Sequence, residues 1–177
     1  MNTIKVIFTG AAQTGKTALL KRYINNETVS TYKMTIGMDI FSKRINKMNT
    51  NFTFQFVEIA GRRQFDFMRK GQYRGASIVG LVVDVSRRET LQRAREIFVS
   101  EILPWIQNSL NKNKKVILIL NKIDLDQREI SKNDILRFIN YMSQLIGNKV
   151  SYFEASALNN IGIEELFEHI TNIVNTN

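Results

Sequence analysis

The chain contains no cysteine, one proline, one histidine and one tryptophan. Without cysteine it can form no disulfide, thiolate metal centre, thiol nucleophile, or prenyl or palmitoyl attachment. The lone histidine, His169, has no carboxylate–histidine cluster around it in the sequence and is expected to be a packing or surface residue. No apolar run approaches the roughly 20 residues of a membrane-spanning helix. Position 2 is Asn, which excludes myristoylation, and the first residues lead directly into a strand-like pattern rather than a secretory signal. The expectation is a soluble, cytoplasmic, monomeric chain without a lipid anchor. The single proline, Pro104, falls inside a long helical pattern that it should break or kink.

What is present suits one domain spanning residues 1–177, with 44% apolar residues to fill its core. The net charge is +9. Arg62, Arg63, Arg69, Lys70 and Arg74 form one basic cluster, and Arg87, Arg88, Arg93 and Arg95 form another. Neither is interleaved with aromatics in an RNA-reading pattern, so no dedicated nucleic-acid site is expected. The clusters read as a solvated basic surface, with weak attraction to acidic membrane or to an acidic partner left open.

Strand-like and helix-like segments alternate, which indicates an α/β domain with a mostly parallel sheet. Strands are expected at 3–9, 39–45, 52–58, 78–85, 115–120 and 151–154. Helices are expected at 16–25, 64–74, 89–110, 132–146 and 162–174. The second and third strands alternate apolar and polar residues across a short Asn-rich turn, as in a hairpin, which puts one antiparallel strand at the sheet edge. Leu81-Val82-Val83 and Val116-Ile117-Leu118-Ile119 are apolar throughout, as central strands covered on both faces should be. Ligands of such sheets bind at the carboxyl ends of the strands.

Two motifs lie at those ends. Gly10-Ala11-Ala12-Gln13-Thr14-Gly15-Lys16-Thr17 follows the first strand and opens the first helix, matching G-x-x-x-x-G-K-[ST] in full. Glycines let successive backbone N–H groups converge on a phosphate, and the helix adds its positive N-terminal dipole. Lys16 would reach the terminal phosphates, and Thr17 would offer a hydroxyl to Mg²⁺. Asn121-Lys122-Ile123-Asp124 follows the fifth strand. A carboxylate accepts two hydrogen bonds side by side, which guanine offers and adenine does not, so Asp124 would select guanine. Asn121 would brace neighbouring loops, and the stem of Lys122 would lie along the base.

With these motifs in order, the chain resembles a Ras-superfamily small GTPase of the Rab-like branch over its whole length. The P-loop NTPase fold then implied is a six-stranded, mostly parallel sheet with one antiparallel edge strand and helices on both faces, forming a single G domain. Thr35-Ile36-Gly37-Met38-Asp39 resembles the first switch. Glu58-Ile59-Ala60-Gly61 stands where the family has Asp-Thr-Ala-Gly. Phe65 and Tyr73-Arg74-Gly75-Ala76 resemble the second switch, and Glu154-Ala155-Ser156-Ala157 the last guanine loop. The resemblance implies phosphate contacts from Gly10, Gln13, Thr14, Gly15, Lys16, Thr17 and Ala18. It implies guanine contacts from Asn121, Lys122, Asp124, Ser156 and Ala157. Mg²⁺ would be held by Thr17 and Thr35, with Glu58 acting through water. Lys16, Thr35, the N–H of Gly61 and the residue at position 62 would carry catalysis, and the switch segments would meet protein effectors and regulators.

Four features depart from the family. Arg62 replaces the water-positioning glutamine, and arginine has no acceptor for a water proton. Slow hydrolysis is expected, since one such polar group is worth about 10²–10³ in rate. Arg62 or Arg63 folding over the γ-phosphate as a finger in cis is the alternative. Glu58 replaces the metal-shell aspartate one methylene further out, which predicts weaker Mg²⁺ binding. Thr28 and Leu158 stand where an aromatic and a lysine sandwich the base, with Tyr23 or Tyr32 as possible substitute rings. Ala12 replaces a glycine of the phosphate loop; the lipidated tail typical of the family is expected to be absent. Two readings remain: a switch cycling between GTP and GDP with slow intrinsic hydrolysis, or a non-catalytic nucleotide-bound scaffold.

Overall fold

The structure, a computed structural model, describes residues 2–26, 35–47, 50–108 and 113–173. Six strands form one sheet: β1 (Asn2–Gly10), β2 (Met38–Lys47), β3 (Thr50–Ile59), β4 (Ala76–Asp84), β5 (Lys115–Asn121) and β6 (Ser151–Ala155). Their order is β2-β3-β1-β4-β5-β6. β2 pairs antiparallel with β3 at the edge, and every other pairing is parallel. The Asn-rich turn between β2 and β3 falls at residues 48–49, outside the described residues.

The period-two alternation along β1 sends Val6 and Phe8 to one face and Ile7 to the other, and each face builds its own core. On the first face, α1 (Lys16–Asn25) and α6 (Ile163–Ile173) cover Val6, Phe8, Phe54 and Phe56. On the second, Tyr73 together with α3 (Arg88–Ile97), α4 (Leu103–Gln107) and α5 (Lys132–Ile146) covers Ile7, Val57, Leu81 and Leu118. β4 and β5 are buried on both faces, which explains their unbroken apolar runs. α5 begins at a capping box between Ser131 and Asp134 and ends at a left-handed Gly147.

The expected helix over 64–74 is divided: a 3₁₀ turn (Arg63–Phe65) leads into α2 (Asp66–Gln72). The expected helix over 89–110 starts as α3 and widens into a π-helical turn (Phe98–Ile102) before α4, which carries Pro104 in its first turn. Pro104 therefore does not stop the helix. The N–H of Leu103 bonds back five residues to Phe98, so the wide turn absorbs the disruption that a proline causes in a regular α-helix. Described helix ends at Gln107, and residues 109 and 110 lie outside the described residues. No described helix is long and apolar enough to cross a membrane.

Candidate functional site

The carboxyl ends of β1, β3, β4 and β5 converge on one rim of the sheet, and the loops leaving them touch one another. The loop after β1 is held by close backbone approach. Gly10 has a φ of 144°, and a Cβ there would collide with the Val82 carbonyl. Gln13, with φ 64°, and Lys122, with φ 67°, are the described left-handed residues other than glycine and asparagine. That strained backbone sits on the two motif loops, where a function rather than stability explains it.

Lys16 is buried and donates from Nζ to the Ala11 carbonyl at 2.7 Å. Burial pushes its ammonium down to about 8; Glu58 opposes the shift, and the positive charges of Arg69 and Arg87 add to it. The loop thus encloses a cation short of counter-charge, which suits an anionic ligand. Thr14 and Gly15 precede Lys16 in the loop, and Thr17 and Ala18 follow it in the first turn of α1.

Beside Lys16 three oxygens meet. Thr17 Oγ1 donates to Glu58 Oε1 at 2.8 Å, Thr35 Oγ1 donates to the same oxygen at 3.1 Å, and the two hydroxyls lie 3.3 Å apart. Strand pairing brings Thr35 there. Met38 opposes Ile59, and Ala60 N–H donates to the Gly37 carbonyl at 2.9 Å, so the chain before β2 is drawn onto the end of β3. Glu58 is buried, which raises its pKa against the opposing pull of Lys16 and the two threonines. Its Oε2 has no hydrogen-bond partner among the described residues. An orphaned buried carboxylate oxygen next to two hydroxyls is an all-oxygen set that fits a hard cation such as Mg²⁺. No His/Cys/Asp/Glu cluster suited to a metal occurs among the described residues, and His169 packs on Phe153.

The loops after β5 and β6 complete the rim. Asn121 Nδ2 donates to the Thr14 carbonyl at 2.8 Å, while its Oδ1 accepts from Ala157 N at 3.3 Å. One side chain therefore ties the loop after β1 to the loops after β5 and β6. Ser156 is buried and accepts from Asn159 N at 3.0 Å. Arg22 of α1 donates to the Ala157 and Leu158 carbonyls, each at 2.9 Å. Asp124 is half-buried at the edge of this surface.

Motif reading missed a second tie. Lys122 Nζ lies 2.7 Å from Asp84 Oδ2, so its tip is engaged by the end of β4. The same carboxylate oxygen accepts from Arg87 Nε at 2.9 Å, and Arg87 Nη2 donates to the Ala12 carbonyl at 3.0 Å. Burial opposes ionisation of Asp84, but hydrogen bonds from Lys122, Ser86 and Arg87 outweigh it and hold its carboxyl below its usual range. Asp84 and Arg87 carry no motif signature; only the pairing of β4 with β1 and β5 assembles them here.

Several expectations need correction. Tyr23 is no substitute for a base-stacking ring. It stacks on Phe167 with centroids 3.8 Å apart, and Lys43 covers it at 3.7 Å. Thr28 and Tyr32 lie outside the described residues, and Leu158 is exposed. Arg63 pairs with Glu96 of α3 at 2.9 Å in an exposed contact. Arg62 is exposed and makes no side-chain hydrogen bond or ion pair among the described residues. The basic clusters are not simply solvated: Arg69 is wholly buried, and the Arg93 side chain is only 11% exposed.

A sequence model of the Ras family matches residues 5–176. The chain belongs to the Ras family. Among relatives it is similar to the Ypt/Rab-type GTPase ypt7 of Schizosaccharomyces pombe, with 31% identity over 175 residues, 96% of this chain and 81% of that one. It is also similar to the Ras-related protein Rab7 of Pisum sativum, with 34% identity over 173 residues, 94% of this chain and 80% of that one. The Ras-related protein Rab-7B of Dictyostelium discoideum is 31% identical over 176 residues, 96% and 81% of the two chains. This Ras-family chain is Rab-like, and its sheet and helices are those of a Ras-like P-loop fold.

Proposed function

We propose that the chain is a guanine-nucleotide switch that binds GTP and GDP with Mg²⁺ and hydrolyses GTP slowly. The observation that carries this reading is the meeting of Thr17, Thr35 and Glu58 beside the buried Lys16. Lys16 and the loop N–H groups of Gly10, Gln13, Thr14, Gly15, Thr17 and Ala18 hold phosphate. The Thr17 and Thr35 hydroxyls would hold Mg²⁺, with Glu58 behind a water, and the ion would supply positive charge against the phosphates. Gly61 presents its N–H to the terminal phosphate. Asp124 reads the guanine edge, supported by Asn121, Lys122, Ser156 and Ala157. Ile36, Met38, Ile40 and Phe67 leave apolar surface exposed beside the site, which suits a protein effector.

Hydrolysis is slow in this reading because Arg62 has no acceptor to orient a water and lies exposed. The same features favour a second reading, a nucleotide-bound scaffold without turnover. A single-turnover assay separates the two: protein loaded with GTP and Mg²⁺ is sampled over hours and its bound nucleotide quantified. The switch predicts slow conversion that Lys16→Ala abolishes and Arg62→Gln accelerates by about 10–10²-fold. Retained GTP in both the wild type and Arg62→Gln supports the scaffold.

A further inference from the structure

Arg69 is a long cation with no exposed side-chain surface, set in α2 within the second switch. Its Nη2 and Nε donate to Asp66 Oδ1 at 2.8 and 3.2 Å, and Nε also lies 3.4 Å from Glu101 Oε1 as an ion pair. Glu101 comes from the π-helical turn, and its other oxygen accepts from Tyr73 OH at 3.0 Å. Asp66 is gripped a second time by Arg93 of α3, whose Nη2 lies 2.6 Å from Oδ2. Burial raises the pKa of Glu101, and Arg69 and Tyr73 pull it back down. Four charged groups and a phenol thus balance one another, with Tyr73 lying against Trp105 at a ring-centroid distance of 6.1 Å.

The third nitrogen of the Arg69 guanidinium turns to backbone. Nη1 donates to the Ala60 carbonyl at 2.9 Å, in a buried contact. That carbonyl and the Gly61 N–H belong to one planar trans peptide, so holding one fixes the direction of the other. The Ala60 N–H on the near side is held as well, by the Gly37 carbonyl at 2.9 Å. Gly61 itself lies flush against the backbone of Ala11 and Ala12, where a Cβ would collide with both residues. The peptide is therefore gripped by Arg69 on one side and backed by the phosphate loop on the other.

We propose that Arg69 is a positioning residue that aims the Gly61 N–H at the terminal phosphate, so that the ratio of triphosphate to diphosphate affinity depends on it. The inference rests on the reading of the site as a guanine-nucleotide pocket. A diphosphate has no γ-phosphate for Gly61 to meet. Loss of Arg69's grip therefore weakens the triphosphate selectively, whereas a general loss of packing weakens both.

The test is competition of GDP and of a non-hydrolysable GTP analogue against a fluorescent GDP derivative, in Mg²⁺, for the full chain and two variants. Arg69→Lys keeps the charge that balances Asp66 and Glu101 but lacks the planar fork that reaches Asp66 and the Ala60 carbonyl from different nitrogens. It is expected to lower affinity for the GTP analogue by about tenfold while GDP affinity changes by less than about twofold. Glu101→Gln keeps the shape and the Tyr73 contact but releases the charge on Arg69; the same ratio shifts by about threefold. Equal weakening of both nucleotides, or no change in the ratio, overturns the proposal. If Arg69→Lys does not fold, the ratio for Glu101→Gln decides alone by the same criterion. Wild-type protein that binds neither nucleotide overturns the guanine-pocket reading and the proposal with it, which distinguishes that failure from an unchanged ratio.

Discussion

The phosphate loop and the second switch lie back to back, Gly61 against Ala11 and Ala12, yet they are built on different physics. The phosphate loop is held mainly by backbone: tight turns, a left-handed Gln13, and carbonyls that receive Lys16, Asn121 and Arg87. The second switch, over residues 61–73, is held by side-chain charge: Arg63 to Glu96, Arg93 to Asp66, and Arg69 to Asp66 and Glu101. A loop shaped by its own backbone is preorganised for its ligand. A segment tied down by ion pairs moves only when those pairs are broken, and breaking a buried pair costs far more than breaking an exposed one. The stiffness of this switch thus lies in Arg69 rather than in Arg63.

Three measurements probe that contrast, in falling order of effect. The largest concerns Lys16. Its proton leaves the free pocket near pH 8 and would be restored by bound phosphate, so GDP affinity should fall by about tenfold per pH unit above 8. Titration calorimetry in buffers of different ionisation heat reads that proton uptake directly. Because the folded pKa lies below the unfolded one, the nucleotide-free fold binds fewer protons than the unfolded chain between about 8 and 10.5. Its stability should accordingly rise with pH across that window. Affinity that stays flat to pH 9.5 would break the picture of a cation made needy by its enclosure.

Next is Glu58→Asp. Retreat of the carboxylate by one methylene frees Thr17 and Thr35 from the single oxygen they now share and makes room for a bridging water. A Mg²⁺ titration of the GDP complex should show several-fold tighter binding, about 1 kcal/mol. No gain would mean that the longer side chain already meets the ion well.

The smallest effect sharpens the comparison from the other side. Arg63 and Glu96 form an exposed pair, with side chains 70% and 45% accessible. Arg63→Ala should cost no more than about 0.5 kcal/mol in a denaturant melt. A loss several times larger would place the latch of the second switch at Arg63 instead.

Much of the site is visible along the chain. Gly10 to Thr17 and Asn121 to Asp124 are contiguous, and their chemistry follows from backbone geometry and hydrogen-bonding patterns that neighbouring residues supply. The same holds for the strands, since the apolar runs of β4 and β5 and the alternation of β2 and β3 are local signals. Charge is where reading residue by residue falls short. Arg69, Arg74 and Arg87 look alike in a list of basic residues, yet Arg69 is buried, Arg87 braces the phosphate loop and Arg74 is exposed. Tyr23 likewise looks available to stack on a base until Phe167, 144 residues later in the chain, is found against its ring.

By itself, then, the sequence determined the α/β architecture, the edge hairpin, the phosphate loop, the guanine motif and the substitution of Arg62. Each depends on short-range periodicity or on residues adjacent in the chain. Only the tertiary structure decided that Glu58 takes both threonine hydroxyls, that Asp84 and Arg87 join the base motif to the phosphate loop, and that Arg69 grips the peptide before Gly61. Whether a charged side chain is solvated, paired or buried depends on which distant elements close around it. That is set by the packing of α2, α3 and the π-helical turn against the sheet, which no local pattern records.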